Sequence, residues 1–197
     1  MSQVKTVQGQ LIQDPPLAQF LFSDKRAALL WLPLRLWLGA QWIDASLHKI
    51  SSPAWVQTGD ALKGFWTAAV KIPETGRPPI TFDWYRSFIS GLLESGSYTW
   101  FAKLVAYGEL LIGIALIVGA FVGIAAFFGA AMNFNFIMAG TASSNGLLLI
   151  LAVVLVLAWK VAGYYGADYF LLRRLGVPWR GSANPPVLAP IPSSPSE

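Results

Sequence analysis

The chain has 197 residues, of which 55% are hydrophobic and only 12% charged, with a net charge of +4. Soluble domains carry about 25% charged residues, so the composition argues against a soluble enzyme and for a lipid solvent. The absence of cysteine excludes disulfides, thiolate metal sites, chain-held iron–sulfur clusters and thiol relays, and the single histidine, His48, cannot by itself form a bis-His haem or a His-rich metal site.

Residues 1–26 are polar and mixed, with no short apolar core ahead of a small-residue cleavage site. The first apolar segment is therefore expected to remain as an anchor. A helix crossing the hydrocarbon core needs roughly 20 mainly apolar residues. Ala27–Lys49 is the first candidate, although Arg35, Gln41 and Asp44 lie inside it. The segment 51–97 is polar overall, yet Trp55, Leu62, Phe65, Trp66 and Ala69 recur near helical spacing, as do Tyr85, Phe88, Ile89 and Leu92. This predicts two amphipathic helices, separated by Pro73, Pro78 and Pro79, lying on a bundle or on the bilayer surface.

Residues 98–140 form the longest apolar stretch. A single helix of that length would be about 65 Å long, twice the hydrocarbon thickness, so two helices joined near Gly119 and Gly123 fit better. Hydropathy alone leaves open a single span over Leu110–Met132, and three spans in total. Residues 147–166 form the last span, after the turn chemistry of Ser143 to Gly146. The tail after Gly181 holds five prolines and several serines, and is expected to be disordered.

The expected fold is an all-α integral membrane protein: a four-transmembrane-helix bundle over residues 27–180, with the insert 51–97 between helices 1 and 2. Four spans put both termini on one side. Lys25 and Arg26 before the first span, with Arg173, Arg174 and Arg180 after the last, place that side in the cytoplasm of a multi-pass cell-membrane protein. The insert, with Lys63, Lys71, Arg77 and Arg86, then lies outside. Basic residues scattered between apolar runs argue for this topology rather than for nucleic-acid binding.

Ionisable residues inside spans are costly and mark function or a buried pair. Gln41, Asp44 and His48 share one face of the first helix, as a wet lining or as an interfacial polar cap. Arg35 and Glu109 come out about 5 Å apart in depth when the midpoints of their spans are levelled, which predicts a direct contact between them. Lys160 lies at similar depth as a competitor for Glu109. Gly119 with Gly123, and Gly129 with Asn133, have the spacing of close helix approach. Asn133 and Asn135 point to different faces, so at most one is expected to face inward. Trp42, Trp100, Tyr164 and Tyr165 fit interfacial aromatic belts, or the border of a flat aromatic ligand.

Several motifs together resemble one family. The first span reads Arg35-Leu-Trp-Leu-Gly39-Ala-Gln-Trp42, followed by Lys49, and the insert holds Gly59-Asp-Ala-Leu-Lys-Gly64-Phe-Trp66. The second span carries Gly108-Glu109, then Gly113 and Gly119. The chain closes on Ala162-Gly-Tyr-Tyr-Gly166-Ala-Asp168 and Leu175-Gly-Val-Pro-Trp179. Over about residues 28–180 this resembles the DoxX family, in its DoxD-like branch, named for the large subunit of thiosulfate:quinone oxidoreductase. The family's usual glycine-leucine-aspartate reads Gly166-Ala167-Asp168 here.

The resemblance implies a four-helix membrane bundle and electron transfer from thiosulfate to membrane quinone as acceptor, yielding tetrathionate. A DoxA-like small subunit or another membrane redox protein is the implied partner, beside the bilayer. Under that reading Glu109 and Arg35 are the catalytic candidates. Gln41, Asp44 and Tyr107 are hydrogen-bond partners for quinone, and Lys49, Lys63 and Arg86 are cations for the thiosulfate dianion. The other reading is a non-catalytic membrane subunit that scaffolds or regulates a partner redox enzyme, which fits the lack of cysteine and of a cofactor motif.

Overall fold

The computed structural model describes residues 14–176, and every regular element among them is a helix. The expected disordered tail lies outside the described residues. In chain order the α-helices are α1 (Pro16–Ser23), α2 (Ala28–Ile50), α3 (Pro53–Val56), α4 (Asp60–Ala69), α5 (Asp83–Glu94), α6 (Tyr98–Val118), α7 (Val122–Met138), α8 (Asn145–Leu157), α9 (Trp159–Ala162) and α10 (Asp168–Arg174).

Two antiparallel pairs form the bundle, α2 with α6 and α7 with α8. The α2–α6 crossing is set by glycines. A Cβ on Gly39 would lie 3.0 Å from the Gly113 carbonyl oxygen, and one on Gly113 would lie 2.6 Å from the Ile43 side chain. The backbones approach more closely than any larger residue permits. Around this crossing Leu38, Trp42, Ile112, Leu116, Ala126 and Leu155 form the main core.

The long apolar stretch divides as expected. Gly119 ends α6 in the left-handed conformation (φ +73°) that suits glycine at a helix C-terminus, and Phe121, also at positive φ, leads into α7. The last expected span, 147–166, is instead broken. Helix α8 stops at Leu157, α9 is a single turn, and turns follow to residue 167. Trp159 packs against Gly123, where an added Cβ would come within 2.6 Å of the indole side chain's own Cβ. Just beyond, the carbonyls of Ala162 and Tyr165 are taken by Arg35.

The insert folds into the two amphipathic helices that its aromatic periodicity predicts. Helix α4 buries Leu62, Trp66 and Ala69, and α5 buries Tyr85 and Ile89. They share a second core with Ile80, Ala102 at the start of α6 and Ala139 at the end of α7. Pro79 packs on Gly140 in the α7–α8 turn, which closes the insert over that end of the bundle. At the opposite end α1 adds a feature not legible in the polar N-terminal segment. Phe22 stacks on Trp31, whose indole N–H donates to the Leu21 carbonyl at 2.7 Å. Helix α1 also touches α9, and Asp168 at the start of α10 caps α7 nearby, so α1 and the start of α10 lie at one end of the bundle.

Helix α6 is long and apolar enough to cross a membrane, and α7 and α8 are shorter apolar helices. Helix α2 is 23 residues long but carries Arg35, Asp44 and Lys49. Large apolar side chains stand exposed along the outside of all four, among them Leu36, Trp37, Leu104, Leu111, Ile114, Phe127, Phe134, Ile150 and Val153.

Candidate functional site

Two buried polar centres and two cavities mark the interior; the smaller cavity, about 400 Å³, lies beside Asp168 against Phe121, Phe127 and Trp159, and the larger lies beneath the insert. The first centre joins α2 to α6. Glu109, with 1% of its side chain exposed, accepts from Lys49 Nζ at 2.7 Å. The ammonium also donates to the Ala45 carbonyl at 3.3 Å and lies 5.4 Å from the centre of the Trp55 ring. Lys49 thus reaches back one turn along α2 to the carboxylate, under a lid of α3.

The expected Arg35–Glu109 contact is absent, and the cause is register. Gly113 packs between Gly39 and Ile43, and Gly119 lies against the Arg35 guanidinium. Glu109 is therefore level with residues near 45 on α2, about ten residues from Arg35, a separation of about 15 Å. Levelling the two spans by their midpoints missed this offset. Lys160 does not replace Arg35 as the partner, since Lys49 occupies that role.

Arg35 instead belongs to the second centre, where the ends of α6, α7 and α9 meet. It is 1% exposed and donates to the Ala162 carbonyl and the Tyr165 carbonyl, each at 3.1 Å. Asp168, also 1% exposed, accepts from the backbone N–H groups of Phe121 and Val122, the latter at 2.9 Å. A carboxylate there offsets both the orphan donors and the positive end of the α7 dipole. The Asp168 N–H donates to the Gly119 carbonyl at 2.8 Å, so the C-terminal turn is stitched to the α6–α7 turn. Gly119 and Gly166 meet backbone to backbone with the guanidinium between, which leaves no room for a side chain on either. This centre is a structural clasp. The aspartate of the Gly166-Ala167-Asp168 motif was legible in the sequence; its capping of α7 was not, because the contact spans 46 residues.

The larger cavity lies between α4 and α5 of the insert and the groove of α6 and α7. Its volume is about 460 Å³, and its wall is almost wholly apolar, with Trp66, Phe101, Val105, Gly108, Met132 and Phe136 along its length. Exposed Phe88, Leu104, Leu111 and Phe128 also border it, so its mouth lies on the outer apolar face. The polar groups sit at the insert end. The Tyr85 hydroxyl is 3.2 Å from both the backbone and the side-chain oxygen of Asn135, whose amide N–H donates to the Ala131 carbonyl. Burial pushes the Tyr85 hydroxyl above its ordinary range, so it stays a hydrogen-bond donor at neutral pH. Glu109 is on α6 beside the cavity-lining Val105 and Ile112, but is turned to Lys49.

The sequence-derived candidates are scattered around this frame. Gln41, Asp44 and Tyr107 are exposed on the outside of α2 and α6, and none lines the cavity. Each of the three cations has its own partner. Lys49 holds Glu109, Lys63 lies 5.1 Å from the centre of the Tyr98 ring, and Arg86 pairs with Asp83 at 2.5 Å while donating to the Ile80 carbonyl. Tyr85 was legible in the sequence as part of a helix face and Asn135 as one of two differently facing asparagines, but neither as a site residue.

One further pair of polar groups stands apart. Asn133 on α7 is fully buried with both amide atoms unpartnered, and the buried Trp42 indole nitrogen is unpartnered as well. Trp42 lies over Gly129, one turn from Asn133. No protein-family model, no curated protein and no solved structure matches the chain.

Proposed function

We propose that the chain is a four-span integral membrane protein of the DoxX type, DoxD-like, that delivers electrons from thiosulfate to a membrane quinone held in the cavity beneath the insert. The cavity carries this reading. Ligand pockets of 300–1,000 Å³ with apolar walls and few polar groups suit drug-sized molecules. This one is of that size, opens on an apolar outer face, and is lined at its insert end by Tyr85, whose hydroxyl donates to Asn135. A quinone ring oxygen replaces Asn135 as the acceptor of the Tyr85 hydroxyl while its isoprenoid chain follows the groove of α6 and α7. Exposed apolar side chains around α2, α6, α7 and α8 support immersion in a bilayer, with basic residues at both ends.

In the reaction two thiosulfate anions join through a new S–S bond to give tetrathionate and release two electrons. One quinone takes those electrons with two protons to become quinol. Glu109, mid-way along α6 and one side chain behind the cavity wall, is the chain's candidate for proton handling. Separate engagement of Lys49, Lys63 and Arg86 favours a second reading, in which a DoxA-like or other partner handles thiosulfate and this chain is the quinone-holding or scaffolding subunit.

The test is thiosulfate-dependent reduction of a short-chain ubiquinone by the purified chain in detergent, beside quinone binding read by quenching of tryptophan fluorescence. Turnover that is lost in Glu109→Gln supports the first reading. Binding without turnover supports the second, and no binding removes the quinone from both.

A further inference from the structure

Helix α2 has an outward face that a lipid environment does not suit. Trp37, Gln41, Asp44 and His48 follow each other at spacings of four, three and four residues, one continuous seam along the helix. All four are exposed, and the side chains of Asp44 and His48 are 76% and 78% accessible. The register fixed by Gly39, Ile43 and Gly113 puts Asp44 level with Glu109, half-way along α6. On the four-span reading above, on which this inference rests, an accessible carboxylate would therefore face hydrocarbon at mid-bilayer. Such residues face protein or water instead.

We infer that a second copy of this chain covers the seam, α2 against α2, about a two-fold axis along the membrane normal. The seam is self-complementary. Two copies in one membrane share an orientation, so residues of equal depth meet. Gln41 carries both a donor and an acceptor and pairs with its own equivalent. The His48 ring is 2.8 Å from the Asp44 carbonyl through Nδ1, which leaves Nε2 directed away from its own helix. The Asp44 carboxylate is 3.7 Å from the same Nδ1, beyond hydrogen-bond reach but within ion-pair distance of a protonated ring. The two Asp44 side chains then lie level with each other, and each reaches diagonally, one turn along the seam, to His48 of the other copy; both diagonal pairs form by one symmetry operation. Trp37 extends the contact into the apolar part of the helix. Polar side chains of this kind join membrane helices by hydrogen bonds across the interface.

The chain has no cysteine, so single-cysteine crosslinking in native membranes reads this contact directly. Trp37→Cys is expected to give a crosslinked dimer under mild oxidation, and Ile150→Cys, on the exposed face of α8, is not. Self-association measured by energy transfer in liposomes is expected to weaken about tenfold or more in Asp44→Leu/His48→Leu, which keeps the helix apolar. Crosslinking through Ile150→Cys alone, unchanged association of the double variant, or a wild-type chain that stays monomeric would each overturn the inference. So would a different protein crosslinked at Trp37→Cys in place of a second copy. If instead the chain is not recovered in membranes, the four-span reading fails rather than the seam.

Discussion

Lys49 Nζ and Glu109 Oε2 lie 2.7 Å apart across the α2–α6 crossing, and this buried pair fixes a carboxylate mid-way along α6, the helix among the described residues that is long and apolar enough to span a bilayer. Removing one partner leaves the other charge without compensation, which costs about 3–5 kcal/mol, whereas removing both is far milder. In a double-mutant cycle, Lys49→Met and Glu109→Met are expected to show a coupling well above zero by thermal unfolding in detergent. The same cycle with Arg35→Met and Glu109→Met is expected to be additive within about 0.5 kcal/mol, as for sites about 15 Å apart. Coupling in the second cycle and none in the first would reverse the assignment.

Asp168 is expected to govern the α6–α7 turn from outside it. Asp168→Ala strips the acceptor from the Phe121 and Val122 N–H groups, a loss of about 1.5–3 kcal/mol for bonds to a charged group. Asp168→Asn keeps an acceptor oxygen and is expected to fall between the two. Amide exchange at Phe121 and Val122 is the local check: it should quicken in both variants, and unchanged protection would mean that the cap contributes nothing.

Asn133→Leu is expected to leave thermal stability unchanged or to raise it, by about 1 kcal/mol. A fully buried amide with no partner carries its desolvation penalty uncompensated, and an apolar residue of similar shape removes that penalty. A clear drop in melting temperature would contradict this and would reveal a bonding partner for the amide.

Membrane topology is open to the same cysteine-free background. Single cysteines replacing Glu74, in the insert, and Lys25, before α2, are expected to react with impermeant maleimide from opposite sides of the membrane. Arg173→Cys is expected to follow Lys25→Cys, since α1 and the start of α10 lie at one end of the bundle. Labelling of Glu74→Cys and Arg173→Cys from the same side would rule out four passes.

Elements fixed by local chemistry were legible before the fold was known. The aromatic spacing of Leu62, Trp66 and Ala69, and of Tyr85 and Ile89, marks helix faces that any partner surface would bury. Gly119 announces a turn because few other residues take its φ. The different facing of two asparagines follows from helical geometry, and Asn133 is indeed buried while Asn135 is exposed.

What one sequence hides is the register between elements. Arg35 and Glu109 look level when helices are aligned by their midpoints, yet the Gly39–Gly113 contact sets α2 and α6 several residues off that alignment. The break after Leu157 comes before Ala158 and Trp159, with no glycine or proline at that point to signal a stop. Its causes, Gly123 beneath Trp159 and Arg35 at the Ala162 carbonyl, are far away in sequence. The cavity depends on how the insert docks on α6 and α7, and no periodicity encodes that docking.

The Arg35 clasp has a consequence for the order in which the protein is made. Its carbonyl acceptors lie 127 and 130 residues further along the chain. During synthesis α2 emerges with a guanidinium whose acceptors are made more than a hundred residues later. Early helices must therefore be held in a provisional arrangement until the C-terminal turn arrives. A nascent chain arrested before Ala162 would carry nearly all of its helices and still lack the fastening of the first one. The turns at 163–167, short and unremarkable in hydropathy, are what fasten the first long helix to the rest of the bundle.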